Sequence, residues 1–191
     1  MSDQRQKANP MRVVGGKWRG RVLLAPKGKA TRPTTDRNRE ALFSMLTSRL
    51  DFEGLRVLDL FAGTGALGLE ALSRGAAFTL FVETQAQARA AIRTNVEACA
   101  AMGVSKIFRR DATHLGARQG APYDLVFADP PYGKGLGEQA LASLADGDWV
   151  SRDALIVVEE DKRSDFVAPP TFVEIDRRMK GDTELIFLSL V

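Results

Sequence analysis

Four consecutive residues, Asp129-Pro130-Pro131-Tyr132, carry the most specific chemistry in the chain. They follow an apolar run, residues 125–128, that reads as a buried strand. Two adjacent prolines fix φ at both positions and remove two N–H donors, so the segment is stiff and rich in acceptors. The Asp129 carboxylate and the Pro130 carbonyl form an acceptor pair. An exocyclic amine on a nucleic-acid base is a poor nucleophile, because its lone pair is conjugated into the ring. Two fixed acceptors can hold its hydrogens, aim the nitrogen and stabilise the positive charge that grows during attack. Tyr132 can stack on the base, which must be flipped out or already unpaired to arrive there. The same residues would also serve as a merely rigid loop, so their weight depends on what else the sheet presents.

A second constellation, Val57-Leu58-Asp59-Leu60-Phe61-Ala62-Gly63-Thr64-Gly65, falls where a strand hands over to a helix. Doubly wound folds bind ligands beyond the carboxyl ends of their strands, at the point where the strand order reverses. Gly63, Gly65 and Gly68 satisfy the dinucleotide spacing G-x-G-x-x-G, so a nicotinamide oxidoreductase has to be weighed. Asp59 and Phe61 ahead of the glycines suit a pyrophosphate poorly, and residues 129–132 have no role in hydride transfer. The loop resembles motif I of the class I methyltransferases. That resemblance implies S-adenosylmethionine as cofactor, with Asp59 helping to hold its amino-acid part and Phe61, Ala62, Gly63, Thr64 and Gly65 forming the loop around it. Glu83, with Thr84 beside it, closes the next strand and is placed to take both ribose hydroxyls. Asp111, with Ala112 beside it, would face the adenine amino group, and Asp129 would border cofactor and base together.

The elements that must position these groups alternate. Strands are expected at residues 57–60, 78–82, 106–109, 125–128 and 155–159. Helices are expected from the glycine loop to about Arg74, over 85–101 and over about 136–145. Strand–helix alternation implies a mostly parallel sheet covered on both faces. Two final strands, 172–177 and 184–190, are joined too tightly for a parallel crossover and should pair antiparallel. The expected fold is an α/β, Rossmann-like, doubly wound seven-stranded sheet with an antiparallel last strand. Ahead of it, β-like runs at 12–14 and 21–24 around Gly15-Gly16-Lys17-Trp18-Arg19-Gly20 suggest a β-hairpin. Thr34, Thr35 and Asp36 are good N-caps for a helix with Ala41, Leu42, Met45 and Leu46 on one face, ending near Leu50. Two units are therefore expected, a basic extension over residues 1–33 and a catalytic domain over 34–191.

Composition narrows the classes. The 191 residues carry a formal charge of +3, yet residues 1–40 hold eleven basic side chains against three acidic ones. A basic end on a mildly acidic body suits a polyanion gripped at one side. Cys99 and His114 are the sole residues of their kinds, which leaves no disulfide and little material for a cysteine- or histidine-built metal site or a Ser-His-Asp triad. His114 reads as a surface residue. The polar N-terminus and the lack of a long apolar run point to a cytoplasmic protein with no membrane contact, and nothing demands more than a monomer.

The tetrapeptide pattern, with Asn or Asp first, occurs in adenine-N6, guanine-N2 and protein-glutamine methyltransferases, the last group generally having Asn. DNA amino-methyltransferases usually carry a large target-recognition domain. Here the 64 positions from Gly65 to Asp129 are filled by the expected strands and helices, which favours a structured RNA. The segments Arg12-Val13-Val14-Gly15-Gly16-Lys17-Trp18-Arg19-Gly20-Arg21, Arg32-Pro33-Thr34 with Asp36, Arg39-Glu40-Ala41-Leu42-Phe43 and Asp59 to Ala71 resemble the RsmD family. That family methylates N2 of one guanine in 16S ribosomal RNA. The resemblance runs from about Arg12 to the end of the chain. It implies that Lys17, Arg19 and Arg21 contact RNA phosphates and that Trp18 stacks on a base or packs on the body. It also places Arg32, Arg37 and Arg39 beside the cofactor and the entering base, and it leaves open whether the RNA is naked or part of an assembling small subunit. The frequent Ser is Thr64 here, and Glu83 is followed by Thr84-Gln85-Ala86 instead of the charged residues often seen. An RNA-binding module without catalysis stays open beside the enzyme.

Overall fold

The computed structural model describes residues 11–25 and 36–191. Seven strands form one sheet: β1 (Arg56–Leu60), β2 (Phe78–Val82), β3 (Ser105–Phe108), β4 (Tyr123–Ala128), β5 (Val150–Asp161), β6 (Phe172–Lys180) and β7 (Thr183–Leu190). Their spatial order is β3-β2-β1-β4-β5-β7-β6. The first five are parallel. β7 is antiparallel to both β5 and β6, as its short link to β6 requires. The chain winds outward through β1, β2 and β3, then returns past β1 to β4, so the switch point lies between the carboxyl ends of β1 and β4.

Successive strand residues point to opposite faces, and each face carries its own core. Val57, Phe81, Leu125 and Phe127 pack against α1 (Asp36–Thr47), α2 (Ala66–Ser73) and α3 (Ala86–Ala98). Leu58, Leu60, Leu80, Val82, Val126 and Ala128 pack on the other face against α4 (Leu136–Asp146). Burial on both faces explains why β1, β2 and β4 read as near-continuous apolar runs.

The N-terminal segment makes the hairpin expected, in short form: the Val13 N–H donates to the Arg21 carbonyl at 2.9 Å and the Leu23 N–H to the Met11 carbonyl at 2.8 Å. Its ladder is a single antiparallel bridge, Arg12 to Val22, closed over a 3-10 turn at Gly16–Trp18. Polar groups that could extend a ladder bind the body instead. The Val14 N–H donates to the fully buried Glu70 carboxylate at 2.8 Å. The Trp18 N–H donates to the Ser73 hydroxyl at 2.9 Å, and that hydroxyl donates to the Gly15 carbonyl at 2.6 Å. Val13 and Leu23 are buried in the same core as α1, α2 and α3. The expected unit boundary between residues 33 and 34, together with Arg32 and the caps Thr34 and Thr35, lies outside the described residues.

Asn95 completes the attachment. Its amide donates to the Leu24 carbonyl at 3.0 Å and to the Thr64 carbonyl at 2.9 Å, while its oxygen accepts from the Leu24 N–H at 2.7 Å. Asn95→Leu keeps the branched heavy-atom shape and strands three backbone groups, one of them in the glycine loop. A loss of about 2–4 kcal/mol is expected, read as a lower urea midpoint at constant slope.

Two sequence expectations need correction. α1 buries Arg39, Leu42, Phe43 and Leu46, so its inward stripe is turned by one residue and Ala41 is exposed. Arg39 is not at the surface: it is 1% exposed and its guanidinium binds the Arg12 carbonyl and the Asp36 carboxylate at 2.5 and 2.6 Å. Buried against those acceptors, it ties α1 to the N-terminal segment and offers no charge to RNA.

Candidate active site

β1, β2 and β4 run in register, with Leu60 beside Val82 and Ala128. The residues just beyond, Phe61, Glu83 and Asp129, therefore emerge together at the switch point. Phe61 adopts a left-handed backbone, φ +54°, unusual for a bulky residue. Gly63 and Gly65 follow at φ +56° and +74°, and Gly65 starts α2. Gly68 has another task. A Cβ there would lie 2.5 Å from the Phe81 ring and 2.6 Å from the Thr79 methyl, so its absence lets α2 press against β2.

A cavity of about 210 Å³ opens beside this loop, with Phe61, Glu83, Thr84, Asp111, Ala112 and Pro131 in its wall. Sequence reasoning missed Val82, Gln85, Arg110 and Leu136, which also line it. Each adjoins an expected position, but facing direction is set by loop geometry that no motif encodes. Asp59, Ala62, Gly63, Thr64 and Gly65 lie behind or beside the wall. Asp59 is buried and accepts from the Gly68 N–H at 2.9 Å, bracing the loop. Thr64 is buried, its hydroxyl 3.5 Å from the Met11 sulfur.

Glu83 is oriented from two sides. One carboxylate oxygen accepts from the Gly63 N–H at 2.9 Å and the other from the Gln85 N–H at 2.8 Å. The carboxylate is thus fixed to the glycine loop and retains lone pairs for a vicinal diol. Asp111 caps a short turn, accepting from the Thr113 N–H and hydroxyl at 2.9 and 2.8 Å, which holds its carboxyl below the ordinary range. The apolar surfaces of Phe61, Val82, Ala112, Pro131 and Leu136 with the Glu83 carboxylate could hold the nucleoside end of a cofactor.

Of the tetrapeptide, Pro130 is buried, Asp129 and Tyr132 are half-buried, and Pro131 borders the cavity. Burial, reinforced by Glu159 and Glu160, pushes the Asp129 carboxyl up to about 8. Asp59 is likewise raised well above 3.8, mainly by burial; the Gly68 bond opposes this, and Asp129 and Glu83 add to it. Burial thus disfavours ionisation of Asp59 and Asp129, and a cation beside either would favour its carboxylate form.

The remaining described candidates belong to the N-terminal segment and α1. Lys17, Arg19, Arg21 and Arg37 are exposed. Trp18 is half-buried, packs on the core and has the Lys17 ammonium 4.6 Å from its ring centre. It bonds at the far end of α2, whose eight residues put it about 12 Å from the glycine loop. His114 is exposed, as expected.

Residues 11–189 match the family model described as conserved hypothetical protein 95. Ribosomal RNA small subunit methyltransferase D of Escherichia coli K12 is 40% identical over 151 residues, 79% of this chain and 75% of that one. The Haemophilus influenzae protein of the same name is 33% identical over 174 residues, 90% and 89% of the two chains. The solved structure of the E. coli protein yhhF superposes with TM-score 0.82 at 31% identity, covering 95% of this chain and 98% of that chain.

Proposed function

The chain belongs to the RsmD family, and from that membership and the shape of the mouth we propose that it moves a methyl group from S-adenosylmethionine to N2 of a guanine in 16S ribosomal RNA. One observation carries the proposal: Pro131 of the acceptor tetrapeptide and Phe61 and Glu83 of the glycine-loop region line the same cavity. A lone tetrapeptide or a lone glycine loop would support much less.

The apolar wall fits an adenine ring, and the doubly anchored Glu83 fits ribose hydroxyls. Asp59 is raised by burial with Asp129 and Glu83, and Asp129 by burial with Glu159 and Glu160, and both suit a positively charged ligand. When bound, S-adenosylmethionine supplies an electrophilic methyl on a sulfonium. The chain's own residues do the rest. The Asp129 carboxylate and the Pro130 carbonyl accept the two amine hydrogens and turn the nitrogen lone pair toward the mouth. As the nitrogen becomes cationic, Asp129 stabilises the charge and can take the released proton. Tyr132 stacks on the flipped base. Lys17, Arg19, Arg21 and Arg37 hold phosphates outside the site.

Incubation with unmethylated 16S RNA, or with small subunits, and labelled S-adenosylmethionine tests the reading. N2-methylguanosine should be the labelled nucleoside after digestion. Label in N6-methyladenosine would overturn the base assignment, and label only in protein would overturn the substrate class. Calorimetry should show S-adenosylhomocysteine binding and no heat with NAD; the reverse would restore the oxidoreductase.

A further inference from the structure

Salt bridges occupy some cations of this chain and leave others without a carboxylate partner. Arg39, Arg49, Arg74, Arg118, Lys162, Arg163, Arg177 and Arg178 are each paired with a carboxylate. Among the cations that form no salt bridge within the described residues are Arg109, Arg110 and Lys134; all three are exposed, and the Arg110 guanidinium lies 5.5 Å from the Phe108 ring centre. They stand at the carboxyl ends of β3 and β4, around the mouth itself. Arg110 lines the cavity of about 210 Å³ beside Pro131 and Leu136. It also lines an adjoining groove of about 620 Å³ that reaches Gln139 and Asp146 on α4. Lys134 lies between Pro131 and Leu136 in sequence, and its carbonyl accepts from the Gln139 amide at 3.3 Å. Two glycines at φ +75° and +60°, Gly133 and Gly135, bracket it in a turn that leaves its side chain exposed.

The placement matters because the basic N-terminal segment packs with the core of the opposite sheet face, whereas α4 and this groove belong to the other. A polyanion held only by Lys17, Arg19 and Arg21 would lie along α2, on one side of the sheet's edge. Asp129 lies just past the carboxyl end of β4, between the two faces, and Arg110 and Lys134 are exposed cations on the α4 side of it. Several acids share the rim: Glu83 is bound to the Gly63 and Gln85 N–H groups, and the Glu138 carboxylate lies near Gly135. Asp111 is occupied by Thr113, while Asp146 lies at the α4 end of the groove, away from the mouth.

We propose that Arg110 and Lys134 form a second RNA anchor, which binds phosphates next to the target nucleotide and makes the RNA straddle the sheet edge. The inference rests on RNA being the substrate. Each cation that neutralises a phosphate steepens the salt dependence of binding by roughly 0.7 to 0.9 in log–log slope. Lys134→Ala and Arg110→Ala should therefore each weaken binding of in vitro transcribed 16S RNA roughly 3- to 10-fold and flatten its salt slope by about one. Lys134→Glu should weaken it further. For Lys134→Ala, S-adenosylhomocysteine affinity should stay within about twofold by calorimetry, which separates an RNA contact from a disturbed cofactor site. Arg19→Ala with Arg21→Ala provides the reference loss on the other face.

Rim variants with wild-type RNA affinity and slope, in a protein that methylates RNA, would overturn the second anchor while leaving the function intact. A wild-type protein that transfers no methyl to RNA would overturn the function, and the anchor with it.

Discussion

Asp129→Ala should abolish methyl transfer while leaving the protein folded and able to bind both cofactor and RNA. Asp129 is half-buried at the end of a central strand, and no salt bridge depends on it among the described residues. Alanine leaves the two prolines to shape the loop. What disappears is the charged acceptor that orients the amine and stabilises its developing cation, and a single preorganised group of that kind is worth roughly 10²–10³ in kcat. Single-turnover assays should show the loss in rate, with RNA and S-adenosylhomocysteine affinities near wild type. Full activity in that variant would remove Asp129 from the chemistry.

The pH behaviour of Asp129 provides a second handle. Burial lifts its carboxyl to about 8, so in the free protein it binds a proton that the unfolded chain, with an ordinary value of 3.8, has already released. Its contribution to stability is complete below 3.8 and declines as pH rises through about 8. A cationic sulfonium beside it favours the ionised form. S-adenosylmethionine should accordingly bind more tightly as pH rises from about 6 to 8. S-adenosylhomocysteine, with a neutral sulfur, should gain less. Asp129→Asn keeps an acceptor oxygen and cannot titrate, so the difference between the two ligands should lose its pH dependence. It should also make the free protein more stable at pH 8. Identical pH dependence in wild type and Asp129→Asn would show that another group governs it.

Glu83→Ala carries the next largest effect. Both oxygens of Glu83 hold backbone N–H groups, of Gly63 on the glycine loop and of Gln85 at the start of α3. The same carboxylate faces the cavity. Removal takes away a bidentate partner for the ribose diol and leaves two N–H groups without their acceptor, so the loop loses both its ligand contact and its brace. Cofactor affinity should fall by about 100-fold, near 3 kcal/mol, while RNA affinity measured without cofactor changes little. Glu83→Gln should recover part of the loss, because its oxygen can still accept from one N–H. An unchanged cofactor affinity in Glu83→Ala would move the nucleoside elsewhere.

Most of the sheet could be read from the chain because β1, β2 and β4 are buried on both faces and announce themselves as short apolar runs between glycines. The antiparallel end followed from the brevity of one turn. β5 was legible only in its apolar centre: it begins at Val150, several residues before the apolar core, where Ser151, Arg152 and Asp153 carry the strand. Polar residues near a strand's end give no pattern to follow. Around the site, Phe61, Glu83, Thr84, Asp111, Ala112 and Pro131 were found in the cavity wall because they occupy fixed offsets from strand ends. Arg110 escaped notice since a cation beside a motif reads as ordinary surface. Arg39 misled for a related reason: sequence shows that it is charged, and only tertiary packing shows that its charge is spent on Arg12 and Asp36. Asn95 could have been suspected, as a polar residue on the helix face that also carries Ala88, Ile92 and Val96.

The way the N-terminal segment is fastened limits how its role can be dissected. Truncating the first twenty-five residues would look like a clean excision of the RNA grip. It would instead uncover the apolar sites of Val13 and Leu23 and withdraw the donors that satisfy Glu70 and Asn95. Such a fragment should aggregate or melt at low temperature, and an inactive shortened protein would say nothing about RNA. Charge reversal at Lys17, Arg19 and Arg21, whose side chains are exposed, leaves that scaffold in place and is the sounder surgery.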